Sequence, residues 1–409
     1  MKITRSRIFV IFGSLVFIIL AQWVFQNAII HHLGNLQTND VLTISRKSFF
    51  IQILLAIIPS LWISPYMDKP SHYQCWILYT TVIIPACIAA FYLAIIPQED
   101  VILFLFFMIS CFGIICIPSH LSPFHVPRIY MSWKQFGVLI FSITLITYTF
   151  LIYYFGFPRS IPGVEEVSGF RQLYKSAQLP GGISHLVWWQ GTFINPLIIG
   201  LGLFYRSYFL VIIGILLQIE LFALTSLRTF VSSSFLVLSF GIMVLSFKKY
   251  TGLAFLYLLL FCIILTSIFY LIDETSFIPI FFLKRWIFNA GILTGKYIEF
   301  FSQHQLTGLQ DSLPILRWLF PGPYDISAGE IIGCNYFLQF PDGSCTNATA
   351  HIWANAYSAF GYKGVFIASL IAASLMWIID SIYFNTNKQL ALIIMCMPAI
   401  SLSGQGVHT

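Results

Sequence analysis

The chain has 409 residues, 58% of them hydrophobic and 9% charged, with a net charge of +6. Soluble domains carry about 25% charged residues, so a water-borne core is excluded and lipid is the solvent this composition fits. No basic run is present, which leaves nucleic acid out as a partner.

A span needs about 20 apolar residues. In chain order the apolar runs are 8–30, 48–66, 76–96, 101–117, 136–155, 185–204, 208–227, 229–247, 251–272, 350–383 and 389–405. The expected fold class is therefore an all-α polytopic integral membrane protein with about eleven or twelve transmembrane helices. Lys2, Arg5 and Arg7 before the first run mimic a signal peptide. The run is long enough to span, however, and no small-residue cleavage site follows, so it reads as an uncleaved first span. The layout divides into N-terminal helices over 1–155, an outer loop over 156–184, central helices over 185–272, a large outer loop over 273–349 and C-terminal helices over 350–409. No internal repeat appears, which weighs against an inverted-repeat transporter.

The short loops set orientation, because Lys and Arg prefer the cytoplasm. With the N-terminus inside, Lys69, Arg128, Lys134, Arg206, Lys248, Lys249 and Lys388 all fall inside. Arg46 and Lys47 fall outside, against the trend. The large outer loop holds four cations and seven acids, a net charge of −3. Within it, Arg285, Asn289, Lys296, Glu299 and Gln303 lie on one stripe at 100° per residue, which predicts an amphipathic helix over 283–303 at the membrane surface. Breakers follow at Pro314 and at Pro321-Gly322-Pro323, and Pro341-Asp342-Gly343 is a turn. Cys334 and Cys345 stand in this loop and can pair if it faces an oxidising compartment. The other six cysteines sit in or beside apolar runs, as packing residues.

No phosphate-binding glycine loop, paired-cysteine metal spacing or HExxH string occurs, so no nucleotide, metal or other cofactor has support in the sequence. What remains is arginine and histidine at the outer face. Arg228, at the junction of two spans, is either a snorkelling interfacial cation or a phosphate clamp. Arg285 is either a helix-face cation near headgroups or a second clamp. Arg171 lies in the first outer loop. His351 opens the span after the large loop, with Asn355 and Ser358 on the same helix face. It is either a hydrogen-bonded packing histidine or a general base.

Three pieces of the chain resemble the O-antigen or repeat-unit polymerases of the Wzy type: Leu283 to Gly291 continuing to Phe301, Asn347 to Gly364 ending in Ala356-Tyr357-Ser358-Ala359-Phe360-Gly361-Tyr362-Lys363-Gly364, and the arginine junction Thr225 to Phe230. Arg171 and Gly182 match an arginine-to-glycine spacing seen in some members. The resemblance implies a metal-independent glycosyltransferase in the bacterial inner membrane. It would polymerise undecaprenyl-pyrophosphate-linked oligosaccharide units at the periplasmic face, with a chain-length regulator protein as partner. Arg171, Arg228, Arg285 and Tyr357 would bind pyrophosphate or glycan, and His351 would be the base. Aromatics such as Trp286, Trp318, Tyr324, Tyr336 and Trp353 would stack on sugars or belong to the interfacial belt. An O-antigen ligase and a lipid-linked glycan flippase are the rival readings.

Overall fold

The computed structural model describes residues 5–33, 45–127, 131–157, 161, 163, 169–170, 173–174, 177, 180–273, 283–308, 322–337, 345–384 and 386–405. Its helices are α1 (Arg5–Ile29), α2 (Arg46–Ile57), α3 (Pro70–Leu93), α4 (Gln98–His120), α5 (Trp133–Phe155), α6 (Gly182–Phe204), α7 (Tyr208–Thr225), α8 (Arg228–Phe247), α9 (Thr251–Ile272), α10 (Asn289–Gln303), α11 (Ala328–Tyr336), α12 (Ile352–Tyr383), α13 (Lys388–Ile394) and α14 (Cys396–Gln405). Eight helical stretches among the described residues are long and apolar enough to cross a membrane: α1, α3 to α7, the 45-residue run Arg228–Ile272, and α12. That run has the length of two crossings and turns at Lys248, whose φ is 51°.

Two expected spans are shorter than the apolar pattern suggests. Over 48–66, α2 stops at Ile57 and passes into a 3-10 turn, Ile58–Leu61, that contains Pro59. Proline has no N–H and its ring crowds the preceding turn, so the α-helix ends there. Over 389–405 the chain forms α13 and α14, of 7 and 10 residues, parted at Met395.

The chain forms two compact units. The first comprises Met1–Pro123, Tyr250–Asp380 and Ile400–Thr409; the second comprises Phe124–Lys249 and Ser381–Ala399.

In the first unit α3 is the central helix, buried along almost its whole length. It contains a wide π turn at Tyr79–Ile83, just before Pro85. A π turn relieves the clash that a proline ring makes with the carbonyl four residues back. Beyond it, small residues take over, and α10 packs against Pro85, Ala86 and Ala90 through Gly291 and Gly295. A β-carbon at Gly291 would lie 2.1 Å from the Pro85 carbonyl oxygen, and one at Gly295 would lie 3.3 Å from Ala90 Cα. Glycines four apart let two helix backbones touch. This corrects the expectation of a membrane-surface helix over 283–303: α10 is enclosed from Gly291 to Phe301. Its charged residues turn inward because they have partners there.

Both ends of α3 are closed from far along the chain. At its start, the Asp380 carboxylate of α12 accepts the Ser71 N–H at 3.0 Å and the Ser71 hydroxyl at 2.6 Å. At its finish, Lys296 Nζ of α10 donates to the Leu93 carbonyl at 2.8 Å. Free N–H groups and partial positive charge at a helix start favour a carboxylate, and free carbonyls at its end favour a cation.

Helix α12 is broken at Phe360 (φ −141°) and Gly361 (φ 59°). The freed carbonyls are taken up by the segment after α10: Thr307 N donates to Ser358 O at 2.9 Å and Gly308 N to Ala359 O at 3.1 Å. Gly361 occupies the left-handed region, which a β-carbon disfavours.

The second unit repeats the proline device: a π turn at Gln190–Ile194 of α6 precedes Pro196. A fully buried polar hub gathers around it. Gln190 donates to Asn195 Oδ1 at 2.6 Å, Asn195 to Gln218 Oε1 at 3.1 Å and to the Tyr148 hydroxyl at 3.2 Å, and Gln218 to Ser233 Oγ at 2.5 Å. Hydrogen bonds of this kind hold helices together in lipid, each worth about 0.6–2 kcal/mol. Beside the hub, Tyr148, Leu151, Val187, Leu221 and Phe230 form an apolar cluster.

Candidate functional site

The polar groups of the first unit assemble where α3 and α10 finish and α12 begins. Glu299 Oε2 accepts Lys296 Nζ at 3.0 Å and the Ile95 N–H at 3.1 Å, while Oε1 accepts the Tyr336 hydroxyl at 3.0 Å. Lys296 is 1% exposed and lies 4.7 Å from the centroid of the Tyr336 ring. Burial, and then the neighbouring Glu299 carboxylate, push the Tyr336 phenol well above its ordinary range, so it keeps its proton and donates.

Tyr336 ends α11, a short helix held in three ways. Ser327 and Glu330 form a reciprocal capping box at its start. Gly329 and Gly333 lie flush against 346–349, where a β-carbon would collide with Asn347 and with the Thr346 carbonyl. Cys334 and Cys345 are joined as a disulfide with Cα atoms 5.0 Å apart. The pairing that the sequence left open is therefore made.

His351 stands at the start of α12 and is 1% exposed. Its Nδ1 accepts the Trp353 N–H at 3.3 Å, so the neutral ring carries its hydrogen on Nε2. Nε2 then donates to Thr294 Oγ1 at 2.7 Å, and that hydroxyl donates to Ala290 O at 2.7 Å. This histidine caps α12 and ties it to α10, and neither ring nitrogen is left to take a substrate proton.

Tyr357 is 7% exposed, edge-on to Phe104 and Tyr362 at centroid distances of 5.1 and 5.5 Å. Its ring packs among these aromatics at the start of the α12 break. Trp353 is likewise enclosed and donates to Ser369 Oγ at 2.8 Å. Arg285 is exposed in the π turn Lys284–Phe288 that leads into α10. Arg228 is exposed at the first position of α8 in the second unit. It is positioned by Ser226, in the left-handed region at φ 53°, and by Phe230, whose ring fills the space a side chain at Gly191 would need. Arg171, Arg317 and Trp318 lie outside the described residues.

One further residue at this end has no motif to mark it in the sequence. His304 follows α10, is exposed, and stacks on Phe300 with centroids 4.0 Å apart and planes 6° from parallel. Its Nδ1 lies 2.9 Å from the Phe300 carbonyl oxygen. A carbonyl only accepts, so Nδ1 carries a hydrogen, and in the neutral ring the lone pair is then on Nε2. The only cue available in the sequence was a histidine, a residue type suited to a helix C-terminus.

No family model, characterised protein or solved structure matches the chain.

Proposed function

We propose that the chain is a glycosyltransferase of the bacterial inner membrane, polymerising oligosaccharide repeat units carried on undecaprenyl pyrophosphate at the periplasmic face. The observation that carries this reading is the break in α12. The string Ala356 to Gly364, which gives the strongest resemblance to repeat-unit polymerases, includes the interruption at Phe360-Gly361. Interrupted membrane helices are tolerated where they line a site, and they build substrate sites in membrane proteins. The disulfide at the same end of the first unit supports placing that end outside the reducing cytoplasm.

The chemistry asked of the protein is modest. The pyrophosphate is already a good leaving group, so the departing charge has to be stabilised and the acceptor hydroxyl has to lose a proton. Exposed guanidinium groups suit phosphate oxygens through paired hydrogen bonds. Arg285 is such a group in the first unit, and Arg228 is a separate candidate in the second. A chain-length regulator is the expected protein partner.

The test is a glycan gel from a deletion strain. Loss of the ladder with single capped units retained supports polymerisation; loss of attachment with polymer retained points to a ligase instead. In the complemented strain, Arg285→Ala or Arg228→Ala at wild-type protein level is expected to abolish long chains. An unchanged ladder rejects the arginine concerned.

A further inference from the structure

We propose that His304 is the group that takes the acceptor proton, an inference that rests on the glycosyl-transfer reading above.

Three observations meet at this side chain. First, its ring is held rather than free. It stacks on Phe300, and its Nδ1–H is given to the Phe300 carbonyl at 2.9 Å, which leaves the Nε2 lone pair unengaged among the described residues. A histidine whose far nitrogen is pinned to a carbonyl presents the near one in a fixed tautomer and direction. Second, its surroundings suit a sugar. Ser302, Gln303 and Gln305 beside it are exposed, and the Tyr324 hydroxyl donates to Gln305 O at 2.8 Å, holding that segment in place. Third, it adjoins the α12 break. Two residues on, Leu306 meets Gly361, and Thr307 and Gly308 bind the freed carbonyls of Ser358 and Ala359. His351 has neither exposure nor a spare nitrogen.

The acceptor sugar O–H gives its proton to Nε2 as its oxygen forms a bond to the anomeric carbon of the donor. The bond from that carbon to the phosphate oxygen breaks, and its electron pair leaves with undecaprenyl pyrophosphate. The imidazolium then releases the proton to water. General-base assistance of this kind is worth about 10² to 10⁴ in rate.

The experiment uses the full-length protein in liposomes with a synthetic undecaprenyl-pyrophosphate-linked repeat unit, following elongation and donor binding separately. For His304→Ala the expected result is elongation slowed about 100-fold or more, with donor binding and melting temperature as in wild type. Added imidazole is expected to restore part of the rate. Wild-type elongation in His304→Ala or His304→Gln overturns the assignment and leaves the polymerase reading standing. Equal loss of binding and elongation, with no rescue by imidazole, also overturns it, in favour of a binding role. Wild-type protein that binds the donor but never elongates it overturns both.

Discussion

Asp380 and Lys296, on different helices, close opposite ends of α3: the carboxylate accepts Ser71 at the start and the ammonium binds the Leu93 carbonyl at the finish. Each charge sits where the helix dipole attracts it. Both partners are more than 200 positions away in sequence, so the central helix of the first unit is completed only by the last third of the chain.

That arrangement predicts an asymmetry between single and double substitutions. Lys296→Met leaves Glu299 buried with two neutral donors and no cation, and breaking one side of a buried pair costs about 3–5 kcal/mol. Lys296→Met with Glu299→Leu removes both charges, and replacing a whole buried pair is often near neutral. Thermal unfolding in detergent is expected to show a large drop for the single variant and partial recovery in the double one. Additive losses would mean that the two residues act independently.

The α3–α10 contact grades two glycines. At Gly291 a β-carbon meets backbone at 2.1 Å, and neither helix can yield there without moving. At Gly295 the nearest atom is 3.3 Å away, so a shift of a few tenths of an ångström makes room. Gly291→Ala is expected to cost about 3 kcal/mol or more and to lower the folded yield, while Gly295→Ala stays within about 1 kcal/mol. Equal melting temperatures for the two variants would contradict the crossing described here.

Removing the disulfide tests both stability and sidedness. Closing a loop of this length is worth about 3 kcal/mol on the chain-entropy model. Cys334→Ser with Cys345→Ser is expected to melt correspondingly lower, with the loss concentrated at α11. In spheroplasts, a membrane-impermeant maleimide is expected to label these two cysteines only after reduction. Labelling that requires the membrane to be broken would place this end inside and defeat the proposed orientation.

The His351–Thr294 bond makes a prediction opposite to that for a catalytic base. Thr294→Val leaves the imidazole N–H without an acceptor in the core, which costs about 1–3 kcal/mol. If His351 is a cap and tie, Thr294→Val and His351→Gln lower the melting temperature without lowering turnover of the protein that remains folded. A fully stable His351→Gln that cannot elongate would restore the role of base to this residue.

Apolar run length located the long helices well, because in lipid a backbone must satisfy itself and about 20 apolar residues are needed to do so. The same criterion overextended α2, where Pro59 ends the helix in the middle of an apolar run. The polar stripe of α10 misled for a different reason. Periodicity reports that Lys296 and Glu299 share a face, but not that this face meets Leu93 and Ile95 some 200 residues earlier. A better cue was present in Gly291 and Gly295, whose spacing marks a close helix crossing. For His351 the sequence offered two readings, and only the directions of its two hydrogen bonds separate them. His304 offered only its residue type at the end of α10, since what distinguishes it is a ring plane and one carbonyl.

The order of synthesis puts α3 in an awkward position. It leaves the ribosome with its small-residue face already formed, yet Gly291 and Gly295, which cover that face, follow about 200 residues later. At about 5–20 residues per second the wait lasts roughly ten to forty seconds. Through that interval the helix must be sheltered by lipid or by the insertion machinery, so the nascent first unit is most vulnerable to quality-control proteases before α10 arrives.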